Sequence, residues 1–153
     1  MSELGEGSLA PQFDLPRDGG RNVSLAELAG NTVVLYFYPK DDTSGCTVEA
    51  IDFTGLADEF AKAGAVVIGV SPDPVKAHDK FIAKHDLGVI LASDEDKSML
   101  EAYGVWKEKT FMGKKYMGNE RTTFVVGEDG RIVKIFPNVK PEEHAEAVVE
   151  VLR

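Results

Sequence analysis

Two apolar runs constrain the fold of this chain more than any other feature. TVVLYFY (32–38) and AGAVVIGVS (63–71) are β-branched and aromatic, with no alternation of polar and apolar residues. Runs of this kind and length are strands buried on both faces. Between them a helix is expected to reach about Lys62, with Phe53, Leu56, Ala57 and Phe60 recurring at helical spacing as one core-facing stripe. A strand, a long crossover and a second strand should form a right-handed parallel unit.

The alternation continues downstream. DPVKAHDKFIAKHD (73–86) has proline near its start and reads as a helix, GVILASD as a third strand, and EDKSMLEAYGV as a short helix ending at Gly104. RTTFVVGEDGRIVKIF (121–136) reads as an antiparallel hairpin with Asp129-Gly130 at its turn. PEEHAEAVVEVLR closes as an amphipathic helix, proline and acids first, arginine last. Near the start, FDLPRDGGRNVSL reads as two short extended segments around an Asp-Gly-Gly turn. Ser24 then opens a short helix, SLAEL, in which Glu27 completes a capping box. The expected class is α/β: a mixed central sheet with helices on both faces, plus an N-terminal β-hairpin. A chain of 153 residues suits one domain, 1–153, around a single core.

Composition narrows the function classes. Lys and Arg number 17 against 26 Asp and Glu, a net charge of −9. Phosphate backbones and anionic lipid repel such a chain, so no nucleic-acid or membrane partner is expected. No stretch approaches the ~18 apolar residues of a membrane span, and MSELGEG lacks the basic and apolar regions of a secretory signal. A soluble, cytoplasmic protein without a cofactor is expected. The single cysteine excludes an intrachain disulfide and a four-cysteine zinc site. His78, His85 and His144 show no metal-ligand spacing; the first two lie seven apart on one helix face, near aspartates, and read as solvated.

That cysteine lies in YPKDDTSGCTVEA (38–50), where a strand ends and a helix begins. Unpaired N–H groups of a first helical turn, and the helix dipole, stabilise negative charge on sulfur, and the thiolate is the reactive form. Gly45 lets backbone approach a ligand with no Cβ in the way. Cys46, Phe53 and Phe60 are spaced by seven, which puts the sulfur at the end of the buried stripe. The carboxyl end of a sheet strand is also where α/β sheets bind ligands. The competing reading is an inert, buried small hydrophobe; the polar flank DDTSG argues against it.

These residues resemble the active-site signature of the peroxiredoxins, P-x-x-x-T-x-x-C, with Pro39, Thr43 and Cys46 at the matching spacing. RTTFVV resembles the segment carrying the family's active-site arginine, here Arg121, and Glu49 matches a glutamate that helps orient it. YGVWKEK and KKYMGNERTTFVV resemble the subfamily called bacterioferritin comigratory protein, or PrxQ, and the similarity runs from about Pro11 to the closing helix. The resemblance implies a thioredoxin-like fold and reduction of hydrogen peroxide and alkyl hydroperoxides. It implies that Cys46 is the nucleophile and becomes a sulfenic acid. Arg121 would hold thiolate and peroxide, Thr43 would orient a peroxide oxygen, and Pro39 would shield the sulfur. Backbone N–H groups of Gly45 and Cys46 would complete the cradle. Without the loop, Arg121 reads better as a strand arginine in a surface salt bridge; Thr43 also reads as an N-cap, compatible with its other role, and Pro39 as a plain strand terminator.

The family's resolving cysteine falls five residues on, where Ile51 stands, or on the next long helix, at Ile82. Both are aliphatic, and Ile82 also fits the apolar phase of its helix behind Val75. Either the chain is a natural one-cysteine enzyme whose sulfenate is cleared by thioredoxin or another external thiol, or one of these isoleucines stands in place of a resolving cysteine. The resemblance implies a monomer. A non-turnover redox sensor, or a thiol-binding module on the same fold, is the rival reading. A Cys–His hydrolase would need a histidine beside Cys46, and none lies in an element expected to end near the loop. Trp106, Phe111 and Met117 either border the pocket or simply pack.

Overall fold

The computed structural model describes residues 4–142 and 144–152. The arginine expected to end the last helix, and Glu143 in its acidic start, lie outside the described residues. The chain opens with an antiparallel pair, β1 (Asp14–Pro16) and β2 (Asn22–Ser24), joined through a 3-10 turn at Asp18–Gly20. The expected capping box is present: Ser24 N–H donates to Glu27 Oε1 at 2.9 Å and Glu27 N–H to Ser24 Oγ at 3.2 Å. It caps a single 3-10 turn, Ala26–Leu28, rather than a full helix.

Next, β3 (Thr32–Phe37) pairs in parallel with β4 (Ala65–Ser71), connected through α1 (Ser44–Gly55) and α2 (Ala57–Lys62). Then α3 (Val75–His85) leads to β5 (Ile90–Ser93), parallel to β4. After α4 (Ser98–Ala102) comes a separate antiparallel pair, β6 (Trp106–Phe111) and β7 (Lys114–Asn119). The chain re-enters the sheet as β8 (Thr122–Val126), antiparallel to β3, turns into β9 (Ile132–Phe136), and closes with α5 (His144–Leu152). The sheet order is β5–β4–β3–β8–β9, a thioredoxin-like mixed sheet.

Strand parity explains the unbroken apolar run of β3. Val33, Leu35 and Phe37 face a core shared with Ile68, Val70 and Phe124, closed by Leu100 of α4 and by Phe13 and Val23 of the N-terminal segment. Val34, Tyr36 and Tyr38 face the opposite core with Phe53, Phe60, Phe81 and Val148 from the other four helices. Each such buried side chain contributes roughly 1.5–3 kcal/mol. Gly69 stands opposite Tyr36, and a Cβ there would lie 2.6 Å from the ring. Its absence lets Tyr36 lie flat and stack on Phe53, centroids 4.6 Å apart.

Two expectations are corrected. The helix after Cys46 is not continuous: Leu56, following Gly55, leaves the helical region at φ −105° and ψ 16°. The break shifts the phase, so Phe53 and Phe60 are buried, Leu56 is half-buried and Ala57 is exposed. The β6–β7 hairpin is an element with no period-two signature, because lysines and exposed apolar residues interrupt any alternation in WKEKTFMGKKYMGN. Its turn, Met112-Gly113, has φ of 52° and 79°, the double positive φ of a type I′ turn.

Candidate active site

β3 ends at Phe37, and residues 38–43 carry the chain to the first turn of α1. Thr43 holds the N-cap position with extended backbone, φ −86° and ψ 158°, but its side chain caps nothing. The hydroxyl turns back and donates to the Lys40 carbonyl at 2.8 Å, and its oxygen keeps the capacity to accept. Thr47 satisfies the Thr43 carbonyl twice, through N–H at 2.9 Å and hydroxyl at 2.7 Å. Pro39 is half-buried in the bend after Tyr38.

Cys46 is 1% exposed and packs with Tyr36, Tyr38, Ala50 and Phe53. Arg121 reaches it from the neighbouring strand, because antiparallel pairing sets Phe37, the end of β3, against Thr122, the start of β8. Arg121 Nη2 donates to Cys46 Sγ at 3.3 Å and Nη1 donates to Glu49 Oε1 at 2.8 Å. Cys46 and Glu49 are three residues apart on one helix face, so one guanidinium serves both. Glu49 is fully buried, and its Oε2 has no hydrogen-bond partner among the described residues. Burial pushes its carboxyl from the ordinary 4.5 up to about 7, against the pull of Arg121.

Gly45 has a more specific part than close approach to a ligand. A Cβ there would lie 3.1 Å from Pro141 Cγ and 3.3 Å from Arg121 Nη2. A side chain there would crowd the guanidinium and Pro141. Val139 N–H donates to the Arg121 carbonyl at 2.8 Å and steadies the same arginine from behind. On another flank, Asn119 Nδ2 donates to the Tyr38 carbonyl at 2.8 Å, tying β7 to the loop. Lys109 Nζ donates to the Asn119 carbonyl, and burial, then Arg121, push its amine below the ordinary value.

The histidines differ from expectation. His78 is fully buried, not solvated, with Nδ1 2.7 Å from Asp41 Oδ2 and Nε2 3.1 Å from the Ala92 carbonyl. Tyr38 donates its hydroxyl to Asp41 Oδ1 at 2.5 Å. His85 and Lys84 pair with Asp42 at 2.9 and 2.7 Å. An element bearing histidines therefore does run beside the loop, although Cys46 itself is hydrogen-bonded by Arg121. The signal was two consecutive aspartates facing two histidines seven apart, legible only once loop and helix are known to meet. His144 accepts or donates at 2.7 Å with Thr123 Oγ1, and burial, then Arg121, push its imidazole from 6.5 down to about 4.

Ile51 is 45% exposed, whereas Ile82 is half-buried against the core that holds Cys46. Trp106 does not border the sulfur; it lines a groove of about 590 Å³ with Tyr103, Val105 and Ile135, whose neighbours belong to the opposite core. Phe111 and Met117 are exposed on the β6–β7 hairpin.

Residues 7–135 match the AhpC/TSA family. Peroxiredoxin Bcp of Bacillus subtilis is 44% identical over 147 residues, 96% of this chain and 94% of that protein. Peroxiredoxin Bcp of Escherichia coli is 41% identical over 153 residues, 100% of this chain and 98% of that one. Among solved structures, Xanthomonas campestris peroxiredoxin Q superposes with a TM-score of 0.88 at 45% identity, over 92% of this chain and 89% of that one. A Xylella fastidiosa PrxQ mutant superposes with a TM-score of 0.93 at 37% identity, over 99% and 97%. A further structure, of X. campestris bacterioferritin comigratory protein, is described for its alkyl peroxide reduction activity; it matches with a TM-score of 0.87 at 44% identity, over 92% of this chain and 89% of that one. With the loop, the arginine, the mixed sheet and these relatives in agreement, the chain belongs to the AhpC/TSA family, among its Bcp/PrxQ peroxiredoxins.

Proposed function

We propose that Cys46 is the nucleophile of this thiol-dependent peroxidase, and that Arg121, Thr43, Pro39 and the backbone of Gly45 and Cys46 form its peroxide pocket. The observation that carries the assignment is the Arg121 guanidinium, with one nitrogen on Sγ at 3.3 Å and the other on buried Glu49 at 2.8 Å. A cation held there stabilises charge on sulfur before reaction and on the departing oxygen during it.

The thiolate attacks one peroxide oxygen. The S–O bond forms as the O–O bond breaks, and the leaving alkoxide or hydroxide takes up a proton as alcohol or water. Sulfur is oxidised by two electrons to Cys46 sulfenic acid, and the peroxide is reduced. The Thr43 oxygen, whose hydroxyl hydrogen is spent on Lys40, accepts the O–H of the incoming hydroperoxide. Glu49 touches no substrate; it positions Arg121. An external thiol then condenses with the sulfenic acid, releasing water and leaving a mixed disulfide, and a second thiol frees Cys46 as it forms its own disulfide. The reductant must be external because the chain has one cysteine; thioredoxin or a small thiol fits. The X. campestris likeness supports alkyl hydroperoxides as substrates beside hydrogen peroxide. A monomeric, cytoplasmic working form completes the reading, and sedimentation tests its first half. No helix of the described residues is long and apolar enough to cross a membrane.

Peroxide consumption with excess thioredoxin or dithiothreitol tests the proposal. Wild type should complete many turnovers, and Cys46→Ser none while melting like wild type. A single stoichiometric oxidation that no thiol clears would favour the redox-sensor reading.

A further inference from the structure

The sulfur that must be reduced is almost out of reach. Cys46 is 1% exposed, and a disulfide bond brings two sulfurs to about 2.05 Å. A peroxide is small enough to come to the buried sulfur. A thiol carried on a larger molecule is not, so the loop 38–43 and the first turn of α1 must move before the second half of the cycle. This argument rests on the peroxidase reading above.

Loop 38–43 is tied to one neighbour in particular. Consecutive aspartates splay onto α3: Asp41 inward to buried His78, Asp42 outward to Lys84 and His85. Asp41 uses both carboxylate oxygens, on Tyr38 and His78, while its N–H donates to Asp73 Oδ2 at 2.8 Å. Asp73 is fixed in turn by the Ser71 hydroxyl at the end of β4, at 2.8 Å. Thr43 is bonded back to Lys40, so the cysteine turn cannot swing away without the aspartates. These ties join the moving part to α3 and the end of β4, and none is a hydrogen bond to the sulfur.

We infer that the Asp41–His78 pair, assisted by Asp42 with Lys84 and His85, is a latch that holds the Cys46 loop in its closed, peroxide-reactive form and sets how readily an external thiol reaches the sulfur. Asp41 and His78 are positioning residues: they act through the loop and not on the substrate.

The test separates latch from general stability. Sulfenate is formed with one equivalent of hydrogen peroxide, and its reduction by dithiothreitol and by thioredoxin is followed by stopped flow. Asp41→Asn, Asp42→Ala and a remote core variant, Val126→Ala, are compared with wild type. Loss of one charge-assisted hydrogen bond should raise the opening equilibrium, so Asp41→Asn speeds thiol attack about tenfold without speeding the first oxidation. Asp42→Ala, which touches only partly exposed ion pairs, speeds it about twofold to threefold. Val126→Ala lowers the melting temperature and leaves the thiol step unchanged. The inference is overturned if both aspartate variants reduce at the wild-type rate, or if Val126→Ala accelerates the thiol step equally. If Asp41→Asn does not fold, Asp42→Ala decides alone. Iodoacetamide alkylation of reduced Cys46 reads the same opening without peroxide, so a failed peroxidase reading and a failed latch give different results.

Discussion

Two buried carboxylates flank Cys46 in the chain, and they are partnered in opposite ways. Asp41 has both oxygens engaged, by Tyr38 and His78, and its backbone N–H as well. Glu49 has one oxygen on Arg121 and the other on nothing among the described residues. A fully satisfied buried acid acts as a tie that fixes one geometry. A half-satisfied one keeps a costly charge against its cation, and its carboxyl rises to about 7 by burial. The first arrangement suits a loop that must stay closed. The second suits an arginine that must stay oriented yet keep a nitrogen for sulfur.

The largest test of this contrast removes the shared cation. Arg121→Met leaves Glu49 buried and unpaired, which should cost about 3–5 kcal/mol of stability. It should also slow sulfenate formation on the order of a hundredfold. A large rate loss with an unmoved melting curve would show Glu49 to be uncharged beside Arg121. Asp41→Asn comes next, at about 1–3 kcal/mol in urea unfolding, since a hydrogen bond to a charged partner weakens. A neutral result there would mean that the Asp41 network does not hold the loop.

Glu49→Gln is expected to be gentler, within about 1 kcal/mol, because the amide loses the burial cost of charge along with the ion pair. Its signature is the pH dependence. The Glu49 carboxyl is raised from 4.5 to about 7 in the folded chain, so between those values the folded state binds more protons than the unfolded. Glu49 therefore makes stability fall as pH rises through that window. His144 is lowered from 6.5 to about 4, so there the unfolded state binds more protons and stability rises with pH. The two slopes oppose each other between 4.5 and 6.5. Glu49→Gln should uncover a urea midpoint that falls steadily on acidification below pH 6.5; an unchanged profile would remove Glu49 from the balance. The smallest effect is at the β6–β7 tip, where Met112 is 87% exposed. Met112→Ser should change stability by less than about 0.5 kcal/mol.

Much of the site was legible before any coordinates. Cys46 stands in the first turn of a helix and Arg121 just before a strand, as local pattern predicts, because a helix start and a strand start are local signals. Even there geometry corrected detail: the Thr43 hydroxyl bonds Lys40 and not the helix, and Gly45 makes room for the Arg121 guanidinium. What escaped was the set of pairs distant in sequence that no family signature records. His78 meets Asp41 across 37 positions and Asn119 meets Tyr38 across 81. No periodicity records such meetings, and two aspartates in a polar loop look solvated until α3 is laid over them.

The sequence by itself determined that this chain builds a sheet covered on both faces, since β3 and β4 have no polar side to show water. It also determined that one sulfur sits at a helix start and that no second sulfur can resolve it within the chain. Only the tertiary structure decided which side chains reach that sulfur and which close over it. The reason is that strand pairing and helix packing bring together groups whose individual positions carry no local energetic preference for one another. Arg121 finds Cys46 through the register of β8 on β3, and Asp41 finds His78 through the packing of α3 beside the loop.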